Sequence, residues 1–410
     1  MAVPPPDRIS ASYLILFVFA LLFSASSSQE RQLTATKNPG CNENPRCNSS
    51  VEVVHVRADG PNDTMHYVWC FHSEPTVLVA LTSHEANLSV SWQDFPNASS
   101  SVSFTSQPFY SFGVLMSQIY EFNDINDTGL LDPANNSNTY VNKIEMPEVW
   151  EMKMLQQNRD FVRLVMDGTW KKNSTSIKNG LIRVELETYR STDHSPNLPH
   201  LLHSSNATLI ELSIVNMVTS SGFENSRYAI ELTMAANESS SGGIYSRSFK
   251  SLDDEHTPGV FTLVDLQTSA SKQSGNGGYL QWRPVAYVAD ERDIINSTET
   301  AFYSVKNGSL LQCEGTLLAA FSGFDLNTSL LKAVNVSFGA SDDGFYSATN
   351  KTIWTFTMGY GHPPDENFSL LIILVMSVCL GLPAVIIVLS GLYVALRRIT
   401  YRKDDLLLSE

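Results

Sequence analysis

Apolar and polar residues alternate with a period of two along much of this chain, which is the pattern of half-buried β-strands. In Ile182–Glu187 the apolar residues are separated by charged ones, and Leu209–Ile214 and Ile230–Met234 follow a similar pattern. Further strands are predicted at Val51–Arg57, Met65–Phe71, Thr76–Leu81, Leu88–Trp92, Phe161–Met166, Tyr279–Val288, Ala301–Val305, Val334–Phe338 and Thr352–Thr357. The sequence therefore predicts a mainly β protein.

Turn residues such as those of Gly275–Gly278 separate the predicted strands, which indicates antiparallel β-sandwiches. The polar stretch Ser191–Pro199 interrupts the alternation near the middle of the chain. We therefore expect two packed sandwiches, a first β domain at 29–190 and a second at 207–364, with 191–206 as the linker. One helix is predicted within them, at Glu145–Gln157.

Two long apolar runs stand near the ends of the chain. Tyr13–Phe23 follows Arg8 and precedes a row of small residues, so residues 1–28 are predicted to be a cleaved signal peptide. Residues 369–396 include an uncharged run long enough to cross a bilayer as a helix. Basic residues follow at once and assign the tail, 397–410, to the cytosol. The pattern predicts a type I single-pass membrane protein with its N-terminus in the lumen.

Acceptor triplets for N-glycosylation, Asn-x-Ser/Thr, are dense, and all of them precede the second apolar run. Random placement of the same residues would give roughly five. A surface covered in sugar indicates the secretory pathway, and the formal net charge of -15 argues against nucleic acid as a partner. The acceptors are Asn48, Asn62, Asn87, Asn97, Asn126, Asn135, Asn173, Asn206, Asn237, Asn296, Asn307, Asn327, Asn335, Asn350 and Asn367.

Four of the five cysteines precede the second apolar run, and in an oxidising compartment these four are disulfide candidates. Four cysteines allow three pairings. We favour Cys41–Cys47 as a short N-terminal loop and Cys70–Cys313 as a long-range tie. The alternative is an odd set with a free thiol. Cys379 lies within the apolar run itself.

The sequence lacks the nucleophile elbow, zinc-protease and phosphate-loop motifs of common enzyme classes. We therefore predict no catalytic residue, no metal site and no cofactor. The acidic stretch Asp253–His256 would need ligands from elsewhere to hold a metal, because consecutive residues of an extended chain point in different directions. His194, His200 and His203 are interpreted as solvated loop residues rather than zinc ligands. Trp282 is interpreted as a core residue rather than a binding surface.

Small residues recur along one side of the predicted membrane span. Such a stripe lets two helix backbones approach closely, although Gly and Ala are common in membrane helices in general. Pro383 lies beside the stripe and would kink the helix. The stripe predicts packing against another membrane helix; it comprises Ser377, Gly381, Ala384, Gly391 and Ala395, together with Val388.

Several segments of the chain point jointly to a known family. They are His55–Ala58 with His66–Trp69, Ser251–Glu255 followed by Pro258 and Val260–Phe261, Gln281–Tyr287, and Phe338–Ser341. In this order they resemble the glycosylated lysosomal membrane protein family, and Gln-Trp-Arg-Pro-Val-Ala-Tyr is the most specific element. The chain departs from that family in its cysteine positions and in lacking a tyrosine-based sorting signal in the tail.

The resemblance implies a non-enzymatic accessory subunit in the lysosomal membrane. Members of the family pair with a transporter of the major facilitator superfamily that exports dipeptides, and they protect it from degradation in the lumen. Two other classes remain open. A cell-surface adhesion or receptor ectodomain would reside at the plasma membrane, and a membrane-anchored hydrolase would need a concave site with convergent titratable groups.

The tail carries an acidic dileucine pattern, in which Asp404 precedes Leu407 and Leu408 by three and four residues. Such patterns are bound by sorting adaptors that divert cargo from the Golgi to endosomes and lysosomes. The alternative is a few leucines trailing a membrane anchor. The pattern predicts a sorting adaptor as a second partner and the lysosomal membrane as the destination.

Replacing Leu407 and Leu408 by Ala should abolish recognition by the adaptor, because each leucine contributes roughly 1.5–3 kcal/mol when it is fully buried. The double variant should accumulate at the Golgi or plasma membrane, and Asp404→Ala should impair delivery. The measurement is the lysosomal fraction of the protein in cells that lack the partner transporter. Normal delivery of the double variant would show that the tail is not the signal.

Overall fold

The computed structural model describes residues 30–41, 52–72, 74–131, 140–171, 180–250, 260, 262–364 and 370–407. The described part is mostly β-structure. Its strands are β1 Gln32–Lys37, β2 Val53–Asp59, β3 Thr64–Cys70, β4 Thr76–Thr82, β5 Leu88–Val90, β6 Val102–Phe104, β7 Tyr110–Asn123, β8 Val141–Ile144, β9 Val149–Gln157, β10 Phe161–Thr169, β11 Leu181–Tyr189, β12 Asp193–His194, β13 Leu202–His203, β14 Ala207–Val215, β15 Ser226–Ser239, β16 Ile244–Lys250, β17 Thr262–Thr268, β18 Gly278–Trp282, β19 Val285–Tyr287, β20 Ser297–Phe302, β21 Lys306–Asn307, β22 Ser329–Phe338 and β23 Lys351–Tyr360. The helices are α1 Ser269–Ser274, α2 Leu310–Cys313, α3 Leu317–Ala320, α4 Tyr346–Thr349 and α5 Leu370–Leu407.

Nineteen of the strands form one hydrogen-bonded antiparallel network with two halves. The first sheet has the order β1-β2-β3-β4-β7-β15-β22. The second has the order β9-β10-β11-β14-β23-β18-β17-β16. The short strand β20 joins them, since it pairs with β19 of the second half and with β22 of the first.

One apolar core fills the space between the two sheets. Trp69 of β3 and Met234 of β15 contribute from the first sheet, and Leu186 of β11 and Trp354 of β23 contribute from the second. The period-two alternation explains this, because every second side chain of each strand faces the core. Trp282 is fully buried there, with its ring centroid 5.8 Å from that of Trp354, which confirms its interpretation as a core residue.

Each sheet also has a covered outer face. On the first sheet, the β5–β6 hairpin with α2 and α3 encloses a second apolar cluster around Val68 and Phe321. The approach is close: a Cβ atom at Gly113 would lie 2.4 Å from Leu318 Cδ2. On the second sheet, the chain between β11 and β14 folds back, and Leu201 packs against Leu209.

The prediction of a mainly antiparallel β protein with one C-terminal apolar helix is confirmed. The division into two domains is not supported by the pairing. Strands β11 and β14, on either side of 191–206, are hydrogen-bonded neighbours, and β15 of the second half pairs with β7 of the first. Residues 191–206 are therefore a cover on a shared sandwich and not a linker, because both halves contribute strands to both sheets.

The helix predicted at Glu145–Gln157 is wrong, since β9 occupies most of that segment. The register of β9 against β10 shifts between Met152 and Met154. Such a bulge adds one residue to a strand and changes the phase of its faces. Trp150 and Met152 on one side of the bulge and Leu155 beyond it consequently all pack against the core.

Arg227 of β15 connects distant parts of the first sheet through a buried ionic cluster. Its side chain is only 3% exposed and lies 2.9 Å from Asp124, 2.6 Å from Asp127 and 2.7 Å from Asp343. Its guanidinium also donates to the carbonyl oxygens of Ala340 and Gly344. These contacts satisfy the planar donor group from several sides, as a buried Arg requires.

Replacing Arg227 by Met should lower the free energy of unfolding by about 3–5 kcal/mol, because it leaves the buried carboxylate of Asp124 without its counter-charge. Chemical denaturation of the glycosylated protein would measure the change. Lys153→Met is the control: Lys153 and its partner Glu151 are both well exposed, so the loss should stay within about 1 kcal/mol. Adding Asp124→Asn to Arg227→Met should restore part of the loss, and an Arg227→Met protein as stable as the control would contradict the ionic role.

Candidate functional site: the apolar helix, the sequons and the buried titratable groups

The C-terminal helix α5 contains the part of the described chain that could cross a membrane. The segment Ile372–Arg398 is long and apolar enough to do so, and no residue of its most apolar part is buried against the rest of the described chain. The helix runs without a break through Pro383. It also extends beyond the predicted end of the span at residue 396, so residues 397–407 of the predicted tail are helical.

The small residues predicted to pack against another helix are all exposed along α5. A Cβ atom at Gly381 or Gly391 would meet no atom within 4 Å in the described part of the chain. Val388, the one larger residue of the stripe, is 65% exposed. The stripe Ser377, Gly381, Ala384, Gly391 and Ala395 is therefore open to a neighbouring helix or to lipid.

The predicted sorting residues lie at the end of this helix. Asp404 and Leu407 fall within its last turns, and Leu408 lies outside the described residues. The sorting function stays a prediction from the sequence.

The structure describes eleven of the fifteen sequon asparagines. Of these, Asn206, Asn296 and Asn335 are partly exposed, and the other eight are exposed: Asn62, Asn87, Asn97, Asn126, Asn237, Asn307, Asn327 and Asn350. Asn48, Asn135, Asn173 and Asn367 lie outside the described residues. The acceptors are spread over both sheets and their connections, which is compatible with a coat of sugar. Occupancy stays a prediction.

The cysteines differ in part from the predicted pairing. Cys41 is disulfide-bonded, and its predicted partner Cys47 lies outside the described residues. Cys70 and Cys313 are free thiols in the structure, so the predicted tie between them is not formed. Both are buried in the apolar cluster between the first sheet and α2–α3. Burial raises the pKa of Cys70 to about 12 and that of Cys313 to about 11, which leaves little reactive thiolate.

A pair of buried histidines is a feature that the sequence analysis missed. His55 Nε2 lies 2.9 Å from His66 Nδ1, and the two rings are stacked with centroids 5.1 Å apart. His66 Nε2 lies 2.9 Å from Thr82 Oγ1. Burial lowers the pKa of His55 to about 4, and burial with the neighbouring His55 lowers that of His66 to about 2. The alternation of β2 and β3 could have assigned both histidines to the covered outer face.

His203 was predicted to be a solvated loop residue, which is wrong. It is buried, its ring stacks on Tyr189 with centroids 3.5 Å apart, and burial lowers its pKa to about 4. His194 and His200 are partly exposed. The stretch Asp253–His256 lies outside the described residues, and elsewhere in the described ranges no three His, Cys, Asp or Glu side chains converge as metal ligands do.

Carboxylates lie side by side on the outer face of the second sheet. Glu185 of β11 and Glu211 of β14 are direct cross-strand partners, and both are largely buried. Arg163 is paired with Glu185, and Arg292 lies 2.7 Å from Glu211. Burial raises the pKa of Glu185 to about 7, and the charge of Glu211 adds to this effect. Glu185 is thus a group that titrates near neutral pH.

Comparisons with known proteins agree with these features. A family described as "Glycosylated lysosomal membrane protein" matches residues 52–401. A glycosylated lysosomal membrane protein of Danio rerio is 30% identical, over 94% of this chain and 95% of its own length. Glycosylated lysosomal membrane protein B of Xenopus laevis is 29% identical over 92% and 93%, and the Homo sapiens protein is 24% identical over 94% and 93%.

Among solved structures, a galactose 1-epimerase from Lactobacillus acidophilus is 7% identical with a TM-score of 0.31, covering 81% of this chain and all of that one. So low a score carries no argument about fold details or chemistry. The family match extends from the second strand through the apolar helix. This chain belongs to the glycosylated lysosomal membrane protein family.

Proposed function

We propose that the protein is a non-enzymatic accessory subunit of a multi-pass transporter in the lysosomal membrane. The resemblance suggests a dipeptide transporter of the major facilitator superfamily, which the β-domain would stabilise and shield from proteases. The family is described by its location and its sugar, not by a reaction. The observation that carries the proposal is the open stripe of small residues on α5.

The proposed orientation is type I, with the β-domain in the lumen and the end of α5 in the cytosol. All fifteen sequons precede the helix, and sugar is added only on the lumenal side. Arg397, Arg398, Arg402 and Lys403 follow the span, which the positive-inside bias favours on the cytosolic side. This orientation exposes the whole β-domain to lumenal proteases, against which a sugar coat would be useful.

The stripe supports contact with another membrane helix for a geometric reason. Lipid chains are as apolar as leucine, so helices associate in membranes through close packing and not through the hydrophobic effect. Small residues permit that packing by letting backbones approach. Ser377 and Ala395 lie eighteen residues apart, so the stripe runs about 27 Å along the helix at 1.5 Å per residue, nearly the thickness of the bilayer core.

A cell-surface adhesion or receptor protein is the alternative, since it too would have a glycosylated β-sandwich and one span. The family match disfavours it, because its relatives are described as lysosomal. Residence at the plasma membrane with a ligand on another cell would favour this alternative.

Replacing Gly381 and Gly391 by Leu should weaken co-purification of the transporter in mild detergent. A loss of about 1–2 kcal/mol of helix packing corresponds to roughly 5–30-fold less complex. Ser390→Leu is the matched control, because Ser390 is on the opposite side of the helix. Equal recovery of transporter with the Gly→Leu variant and with the control would contradict the helix contact and leave the β-domain as the interface.

Residence in an acidic lumen agrees with the carboxylate pair. Glu185 has a folded pKa of about 7, above its ordinary value of 4.5, so the native state binds more protons than the unfolded state between these values. Glu185 therefore adds to the free energy of unfolding below about pH 4.5, and this contribution is lost as pH rises through 7. The buried histidines act in the opposite sense, because their pKa values are lowered: they cost stability as pH falls from 6.5 towards 4.

Glu185→Gln should therefore raise the melting temperature by a few degrees at pH 8 and leave it nearly unchanged at pH 4.5. At each pH the variant is compared with the parent protein, so the contribution of the histidines, which are the same in both proteins, cancels. Glu224→Gln, at an exposed position, is the control and should shift the melting temperature at neither pH. A gain for Glu185→Gln that is equal at both pH values would show that Glu185 does not titrate as described.

A further inference from the structure

The last strand of the sandwich fixes which end of the domain faces the membrane. Strand β23 ends at Tyr360, the described chain continues to Pro364, and α5 begins at Leu370. From 364 to 370 is six residue steps, which reach at most about 22 Å when fully extended. Tyr360 therefore marks the end of the sandwich that is tethered to the bilayer, with Pro364 within about 22 Å of the start of α5.

Several contacts hold this exit point, among them the amide of Tyr360 donating to the carbonyl oxygen of Asn206 at 3.0 Å, and three more identify its other neighbours. The ring of Tyr110, at the start of β7, has its centroid 5.3 Å from that of Tyr360. The hydroxyl of Ser271 in α1 donates to the carbonyl oxygen of Gly361 at 2.9 Å. The amide of Gly361 donates to the carbonyl oxygen of Gly277 at 2.7 Å. The start of β7 and the α1–β18 turn are thus bound to the exit point.

The side chains next to these contacts are exposed aromatics and a cation. Phe109, the neighbour of Tyr110, is 65% exposed, and its amide donates to the carbonyl oxygen of Leu81, which fixes its backbone. Tyr245, at the start of β16, is 42% exposed. Lys272 of α1 places its Nζ 3.8 Å from the centroid of the Tyr245 ring. We call Phe109, Tyr245 and Lys272 the juxtamembrane surface.

We propose that the juxtamembrane surface rests in the headgroup layer of the bilayer that α5 crosses. Aromatic side chains are enriched at this depth of membrane proteins, because an amphipathic ring suits the boundary between water and hydrocarbon. A Lys beside such a ring can contact lipid phosphate while its stem covers apolar surface. The contact would hold the β-domain at a fixed tilt and not leave it swinging on its connection.

The juxtamembrane surface is distinguished from other exposed apolar residues by its position next to the exit point. Ile294 and Ile295 are also exposed, but they follow Tyr287, which pairs with Ile353 of β23. From 353 to 360 is seven residues, about 24 Å along a strand at 3.4 Å per residue. That apolar loop belongs to the opposite end of the sandwich and provides an internal comparison.

The proposal requires that α5 crosses a bilayer, and it does not require a transporter. It therefore stands or falls separately from the proposed accessory role. Asn237, a predicted sugar acceptor, borders the surface, since its side-chain oxygen accepts from the amide of Ser111. The proposal therefore also requires that any sugar on Asn237 projects away from the bilayer.

The test uses the full chain, reconstituted without a transporter in nanodiscs whose lipids carry bromine close to the headgroups. Phe109→Trp and Tyr245→Trp place a fluorescent reporter in the juxtamembrane surface, and Ile295→Trp places one at the far end. The signal of the six native tryptophans is subtracted with the parent protein. Phe109→Trp and Tyr245→Trp conserve aromatic character at exposed positions, and an unchanged melting temperature verifies the fold of each variant.

Brominated lipid should quench the added tryptophan at 109 and at 245 at least twice as strongly as that at 295. Adding Lys272→Glu to Phe109→Trp should reduce this quenching in discs that contain anionic lipid. Quenching at 109 and 245 no greater than at 295 would overturn the proposal. Quenching that Lys272→Glu leaves unchanged would overturn the part assigned to Lys272. If the fluorescence of the tryptophans at 109 and 245 changes only after a transporter is added, the surface contacts a protein partner, and the lipid contact would be overturned.

Discussion

Backbone hydrogen bonding along both edges of β23 is the interaction on which the rest of the structure depends. On one edge β23 pairs with β14 over nine residues, and on the other it pairs with β18 and β19. Without it, the second sheet would divide into two pieces, and β19, through which β20 joins the second sheet, would lose its pairing with that sheet. The strand that closes the sandwich is also the strand that leads into α5, so the core and the membrane anchor are coupled through one segment.

Buried charge is the second organising feature, and it is distributed by layer. The core between the sheets is apolar, whereas the covered outer faces hold Arg227 with its aspartates, the histidine pair and the carboxylates around Glu185. Outer faces can hold such groups because loops supply counter-charges and backbone partners there. The pKa of each of these titratable groups thus depends on what covers it. Burial is the chief cause in both directions: it raises the pKa of Glu185 and lowers the pKa of His55.

The strands and the apolar helix could be predicted because their signals are local. Alternation in Ile182–Glu187 and the uncharged run in 369–396 each depend on neighbouring residues only. The same reasoning failed for β9, because the extra residue of its bulge changes the phase of the alternation. That both halves of the chain contribute strands to both sheets could not be predicted either. A polar stretch indicates a surface loop equally well whether the loop links two domains or covers a sheet.

The candidate sites show the same division between local and distant information. The sequons and the stripe of small residues are patterns of spacing, and their asparagines and glycines are found exposed where the structure describes them. The Arg227 cluster joins residues about 100 positions apart, such as Asp127, and the thiols of Cys70 and Cys313 meet in one cluster without a bond. Nothing in the local sequence encodes such encounters, which depend on how strands and helices distant in the chain come together.

The late position of β23 in the chain has a consequence for biosynthesis. Because β14 and β18 find their shared neighbour only when residues 351–360 have been made, most of the domain is synthesised before its second sheet can close. Until then both strands present unpaired edges, which are templates for aggregation. Long-range pairing of this kind also folds slowly. The nascent protein would therefore depend on chaperones until its final strand emerges, immediately ahead of the helix that anchors it.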